Sequence, residues 1–270
     1  MSRKRRNGRR GTRTQQKFEE MNYIIENNMA AEVEGPTRKK NWTKHDVKCV
    51  RPMTDTQADF FENYYNDFHV CAYGSAGTGK TFLATYLAIN DVINPDARHK
   101  RVIFVRSVVP TRDIGHLPGT LDDKVSQYET PYRDILTELF GRASTYDDMK
   151  KAGLIQFLST SYIRGTTWND CVVVVDEMQN MTAHEIDSIM TRIGSNTRVI
   201  ATGDLRQTDL TNKSRERTGM DRFLAIVDNI PNFEVSMFTR DDIVRSNFVK
   251  QWIVASEDYD DSPRARQNRL

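Results

Sequence analysis

Six short apolar runs punctuate the chain, at Phe68–Tyr73, Arg101–Arg106, Leu154–Leu158, Cys171–Val175, Arg198–Thr202 and Phe233–Phe238, most of them bounded by polar residues or glycine. Runs of this length predict strands, buried on both faces where no polar residue interrupts them. Between them the apolar positions shift to helical spacing. This holds over Thr56–Tyr65, through Phe82, Leu83, Tyr86, Leu87 and Ile89 up to Asn94 and Pro95, and over Tyr132–Phe140, Ala183–Ile193 and Phe223–Asp228. Strands alternating with helices predict an α/β fold, a mostly parallel sheet with helices on both faces. The stretch Thr111–Tyr128, with Gly115, Pro118 and Gly119, keeps no period and reads as a long surface loop.

The N-terminal part reads differently. The first 17 residues lack an apolar period and predict disorder, Phe18–Met29 predicts a short helix, and the charged stretch around Gly35 and Pro36 an arm or linker, so the folded body is expected to begin near Val50. The net charge of +2 over 270 residues conceals this division: residues 1–48 carry +7 and the rest −5. Arg3, Lys4, Arg5, Arg6, Arg9, Arg10 and Arg13 form a run suited to a polyanion such as RNA or single-stranded DNA. The same run would serve equally as a solubilising tail, because no aromatic residue lies within it to stack on a base. No apolar stretch is long enough to span a bilayer and no secretory signal is seen, so no membrane association and a cytoplasmic location are expected. The three scattered cysteines, Cys49, Cys71 and Cys171, match neither a disulfide framework nor a zinc pattern.

The strongest chemical signal lies where the first strand runs into glycine. Gly74, Ser75, Ala76, Gly77, Thr78, Gly79, Lys80 and Thr81 follow the eight-position phosphate-loop pattern between a predicted strand and a predicted helix. The glycines allow tight backbone turns, the helix offers its positive end to an anion, Lys80 can reach the terminal phosphates of ATP, and the Thr81 hydroxyl is placed for Mg²⁺. A metal beside a triphosphate needs an anionic anchor. The valine-rich run ending in Asp176 and Glu177 supplies one, with Asp176 as metal ligand and Glu177 as the base that polarises water. A structural reading, in which both acids cap the next element, stays open. A third strand ends at Thr202, Gly203 and Asp204, so Thr202 or Asp204 is a candidate to sense the γ-phosphate and Gln207 to bond the phosphate or its water. Arg240 and Arg245, flanking Asp241 and Asp242, are candidates for the extra cation that hydrolysis calls for, in the same or an adjacent subunit; a surface ion-pair cluster is the competing account.

These motifs together, GSAGTGKT at 74–81, LPG at 117–119, YIRGTTWND at 162–170, VVDEMQNMT at 174–182, TRIG at 191–194, TGDLRQTDL at 202–210 and DDIVR at 241–245, resemble the PhoH-like ATPase family in order and spacing. The resemblance implies a RecA-like P-loop NTPase domain, similar to the first motor domain of superfamily 1 helicases and often assembled as a ring, so a homo-oligomer with a hexameric ring favoured. It implies Lys80 on phosphate, Thr81 and Asp176 on Mg²⁺, Glu177 as catalytic glutamate, Gln207 as sensor, and Gln57 as the adenine contact. Two departures stand out. Ser246 follows Arg245 where many relatives have histidine, and Arg106 is followed by Ser107 and Val108 where relatives commonly have proline. The expected organisation is a basic arm over 1–48, the ATPase domain over 49–257 and a polar tail over 258–270. Such a compact form with a basic arm also resembles copies carried by bacteriophages, which would place it in the host cytoplasm. The expected function is Mg²⁺-dependent ATP hydrolysis coupled to remodelling or translocation of RNA or single-stranded DNA, through the arm or a ring pore. A nucleotide-gated interaction factor and a small-molecule kinase are the alternatives; the Asp176–Glu177 pair with Gln207 favours water as acceptor.

Overall fold

The computed structural model describes residues 42–262 apart from 95, 97, 108–120, 164 and 208–217. The basic run, the predicted helix over 18–29 and the LPG segment lie outside the described residues. In chain order the elements are α1 (Asp55–Tyr65), β1 (His69–Gly74), α2 (Lys80–Val92), β2 (Arg101–Arg106), α3 (Leu121–Phe140), α4 (Thr145–Lys151), β3 (Ile155–Ser159), β4 (Cys171–Asp176), α5 (Ala183–Met190), β5 (Arg198–Gly203), α6 (Met220–Val227), β6 (Phe233–Phe238) and α7 (Asn247–Asp261).

The six strands form one sheet in the order β3-β2-β4-β5-β1-β6, and every pairing is parallel. β4 sits inside the sheet between β2 and β5, and its four successive valines suit a strand covered on both faces: all six of its residues are buried. One apolar core unites Phe60, Leu87, Phe104, Tyr132 and Leu136 under α1 to α4; a second unites Met178, Ile186, Ile189, Phe223 and Val227 under α5 and α6. The helices therefore cover both faces, as the pattern of runs predicts. No described helix is long and apolar enough to cross a membrane.

The structure differs from the sequence reading in three places. Residues 121–128, read as loop, belong to α3, and the helix continues through Pro131. Apolar residues at Leu121, Val125, Tyr128, Tyr132 and Leu136 keep a helical period across the proline, and that period outweighs the one backbone hydrogen bond proline removes. The short helix α4 and the long helix α7 were not read from the pattern at all, and α7 runs past residue 257, so the start of the expected polar tail falls inside it. The sequence reading also takes the metal anchor from a strand neighbouring the phosphate-loop strand; in the sheet β5 lies between β4 and β1, paired in parallel with both.

Candidate nucleotide-binding site

The site is built where β1, β4 and β5 end on the same edge of the sheet. β1 passes into a turn that only glycine permits: Gly74 has φ +122°, and a Cβ there would stand 2.0 Å from the carbonyl oxygen of Phe238. Gly77 and Gly79 also have positive φ, of +72° and +84°. Among the described residues the N–H groups of Ala76, Gly77, Thr78 and Gly79 have no acceptor, while Ser75 donates its N–H to Phe238 O at 3.0 Å. Free amides ahead of a helix N-terminus form an anion cradle. The Lys80 ammonium folds back over it, donating to Gly74 O at 2.8 Å and Ser75 O at 2.7 Å. Burial pulls this ammonium below the usual lysine range, against the opposing pull of Asp204, Glu177 and Asp176.

Asp176, 1% exposed, closes the other side. Its Oδ1 accepts from Thr81 Oγ1 at 2.8 Å and from Thr202 Oγ1 at 2.5 Å; its Oδ2 accepts from Tyr132 Oη at 2.9 Å and lies 4.0 Å from Arg106 Nη1. A carboxylate buried this deeply is tolerable because each oxygen is met by donors. Glu177 follows in the left-handed region at φ +56°, uncommon for a residue with a side chain. Its carboxylate takes a hydrogen bond from Gln179 Nε2 and has Arg106 Nη2 at 3.9 Å. Gln179 in turn accepts the Asp204 N–H at 2.9 Å, which fixes its amide orientation. Burial and then the neighbouring Asp176 charge push the Glu177 carboxyl up; burial also raises that of Asp204.

The other sequence-predicted residues divide. Asp204 stands at the end of β5 and accepts the Arg206 N–H at 2.9 Å; Gln207 follows, its backbone N–H bonded to Asp204 O at 3.1 Å and its side chain exposed. Gln57 lies behind the loop, giving its Nε2 to Thr78 O at 3.1 Å and accepting the Met53 N–H at 2.8 Å. Arg245 is exposed next to the loop: a Cβ on Gly77 would be 3.1 Å from its Cγ, and the preceding Val244 donates its N–H to Gly77 O at 3.1 Å. Arg240 instead pairs with α7, its Nε 2.5 Å from Glu257 and its Nη1 2.6 Å from Asp258, the ion-pair arrangement rather than a contact with the loop. Sequence reasoning assigned no role to Tyr132 and only retention to Arg106. A tyrosine in an apolar helical face carries no sign that its hydroxyl reaches a strand end 44 residues away.

A parallel α/β sheet whose first strand opens into a glycine-rich loop, with a lysine and threonine beginning the next helix and an acidic strand end across from them, defines a P-loop nucleotide-binding protein of RecA-like fold. The family model described as "PhoH-like protein" matches residues 49–257, and the chain belongs to that family. It is 33% identical over 215 residues to a PhoH-like protein of Mycobacterium leprae (strain TN), covering 79% of this chain and 60% of that one. With a PhoH-like protein of Bacillus subtilis (strain 168) it shares 31% over 209 residues, 77% of this chain and 64% of that one. The chain thus spans about three fifths of the length of the curated relatives it matches. Among solved structures, the HK97 bacteriophage large terminase aligns with a TM-score of 0.42 at 13% identity, over 74% of this chain and 42% of that one. Pif1 helicase from Candida albicans aligns with a TM-score of 0.37 at 14% identity, over 74% and 43%.

Proposed function

We propose that the chain binds ATP with Mg²⁺ and hydrolyses it in the cytoplasm, as a homo-oligomer, a hexameric ring being favoured, that acts on RNA or single-stranded DNA. The observation that carries this reading is the hydrogen bond from Thr81 to Asp176, which joins the phosphate loop to the acidic strand end one residue before Glu177. The donor set suits magnesium: the hard oxygens of Thr81 and Asp176, few in number, leave the remaining positions to phosphate and water oxygens. Thr81 and Asp176 would hold the ion, which supplies charge compensation on the phosphates when bound.

Lys80 and the free amides of the loop bind and orient the triphosphate. Glu177, its carboxyl raised by burial and held by Gln179, accepts the proton of a water whose oxygen bonds to the γ-phosphorus. The bond from that phosphorus to the bridging oxygen breaks, ADP keeps the electron pair, and the proton passes from Glu177 to solvent. Asp204 and Gln207 follow the next strand, in reach of a γ-phosphate sensing role. Arg245, exposed beside Gly77, is the better-placed extra cation; Arg240 would first have to leave Glu257 and Asp258.

Phosphate release tests the reading. Lys80→Ala is expected to weaken ATP binding, and Glu177→Gln to keep binding while turnover falls at least about ten-fold. Equal turnover in wild type and Glu177→Gln removes the assignment of the base. The polymer is tested separately: RNA or single-stranded DNA oligonucleotides should stimulate turnover of the oligomer defined by light scattering, and their failure to do so removes the coupling. A nucleotide-gated interaction factor is favoured by one observation. Ile253 of α7 comes within 2.9 Å of where a Cβ on Gly77 would stand, while Phe248 and Trp252 of the same helix are exposed. Binding without steady-state phosphate release would select it.

A further inference from the structure

Asp176 is held asymmetrically. Both threonine hydroxyls, from Thr81 on α2 and Thr202 on β5, converge on Oδ1, whereas Oδ2 has a single hydroxyl partner, Tyr132. A carboxylate pinned at one oxygen can still swing the other, so the donor on Oδ2 decides the plane in which the group sits. Arg106 does not fill that role: its nearest nitrogen is 4.0 Å from Oδ2, too far for a hydrogen bond.

Tyr132 is a rigid donor. It is fully buried, its ring stacks on Phe104 with centroids 4.3 Å apart and lies 6.0 Å from Phe157. Phe104 belongs to β2, in register with Val174 of β4, so the ring is packed on the strand next to the one that carries the carboxylate it bonds. A hydroxyl locked in this way orients its acceptor without reorganising when a ligand arrives.

We infer that Tyr132 is a positioning residue for the metal: its hydroxyl fixes the Asp176 carboxylate in the orientation that, with Thr81, receives the divalent ion of a nucleotide complex. This rests on the nucleotide reading above. It separates two roles that a buried tyrosine can have. A hydroxyl that only satisfies a buried acid affects folding, and nucleotide binding with and without metal alike; a positioning hydroxyl affects the metal-dependent part alone.

The experiment uses the full 270-residue chain and a fluorescent N-methylanthraniloyl ATP analogue, titrated in EDTA and across a Mg²⁺ series. Tyr132→Phe keeps the ring and its stack and removes one oxygen, and its thermal unfolding midpoint sets a working temperature well inside the folded range. The expected result is a rise of about ten-fold in the Mg²⁺ concentration that gives half of the metal-dependent gain in affinity, with EDTA affinity within about two-fold of wild type. On the Asp176→Asn background the same substitution should add little, since its effect runs through that carboxylate. An unchanged Mg²⁺ requirement, or a parallel loss in EDTA and in Mg²⁺, overturns the inference. The wild-type arm reports on the underlying reading by itself: if Mg²⁺ does not strengthen binding there, or Lys80→Ala binds as wild type does, the nucleotide assignment fails before Tyr132 is at issue.

Discussion

The two flanks of the phosphate loop support it by different means. On the β4 side the contribution is made by side chains: Asp176 receives three hydroxyls, and Glu177 is held between Gln179 and Arg106. On the β6 side it is made at the loop backbone. The Phe238 carbonyl takes the Ser75 N–H, the Val244 N–H meets Gly77 O, and the Gln57 amide meets Thr78 O. The strands differ to match. β4 is enclosed by β2 and β5, whereas β6, among the described residues, is an edge strand bonded to β1 alone, with Val235 and Met237 exposed. Charged chemistry sits on the enclosed strand, where dense hydrogen-bond partners make a buried carboxylate tolerable; the edge strand shapes the loop through groups that every residue possesses.

The largest effect should come from the closest approach between loop and edge. Gly74→Ala forces a side chain into a left-handed backbone and against the Phe238 carbonyl, so unfolding in urea should show a loss of more than about 3 kcal/mol. A loss under about 1 kcal/mol would mean that β6 gives way freely and does not shape the loop. Next, Val174→Ala removes two methyl groups from a fully buried site and should cost about 2 kcal/mol, whereas Met237→Ala on the exposed face of β6 should change stability by no more than about 0.5 kcal/mol. Comparable losses at the two positions would erase the distinction between the strands.

The same contrast explains what was legible in the sequence. Buried parallel strands such as β4 announce themselves as unbroken apolar runs, and all six strands, including the half-exposed β6 with its interspersed Glu234 and Ser236, appear within a residue or so of their expected positions. The phosphate loop is legible because its function constrains contiguous residues, and Asp176 because a charge at the tip of a valine run demands a reason. Tyr132 was not, since its hydroxyl's partner is set by how α3 packs on β2 and not by any local pattern. Nor could the sequence choose between Arg240 and Arg245, which flank Asp241 and Asp242 five residues apart. What separates them is α7, whose Glu257 and Asp258 capture Arg240; that helix carries Phe248, Val249, Trp252 and Ile253 at helical spacing, but which basic side chain its acidic end meets is set by packing. Apart from the Gln57 amide, the β6 flank acts through backbone groups, and backbone groups leave no signature in residue identity.

Gln57 gives the smallest effect and the finest test of this contrast. The resemblance implies that its side chain reads adenine, which would make the β6 flank, like the β4 flank, a carrier of side-chain chemistry. The geometry gives both ends of its amide other partners: Oε1 takes the Met53 N–H and Nε2 holds Thr78 O, within α1, which packs on β6 through the edge-on pair Phe60 and Phe238. A strut of this kind supports the loop whatever base is attached to the phosphates. Gln57→Ala should therefore weaken ATP and GTP by about the same factor, on the order of five-fold for the lost hydrogen bond to the loop, when each competes against the fluorescent analogue. A loss confined to ATP would show that the amide releases Thr78 to meet adenine, and the β6 flank would then read the ligand directly as well as shape the loop that holds it.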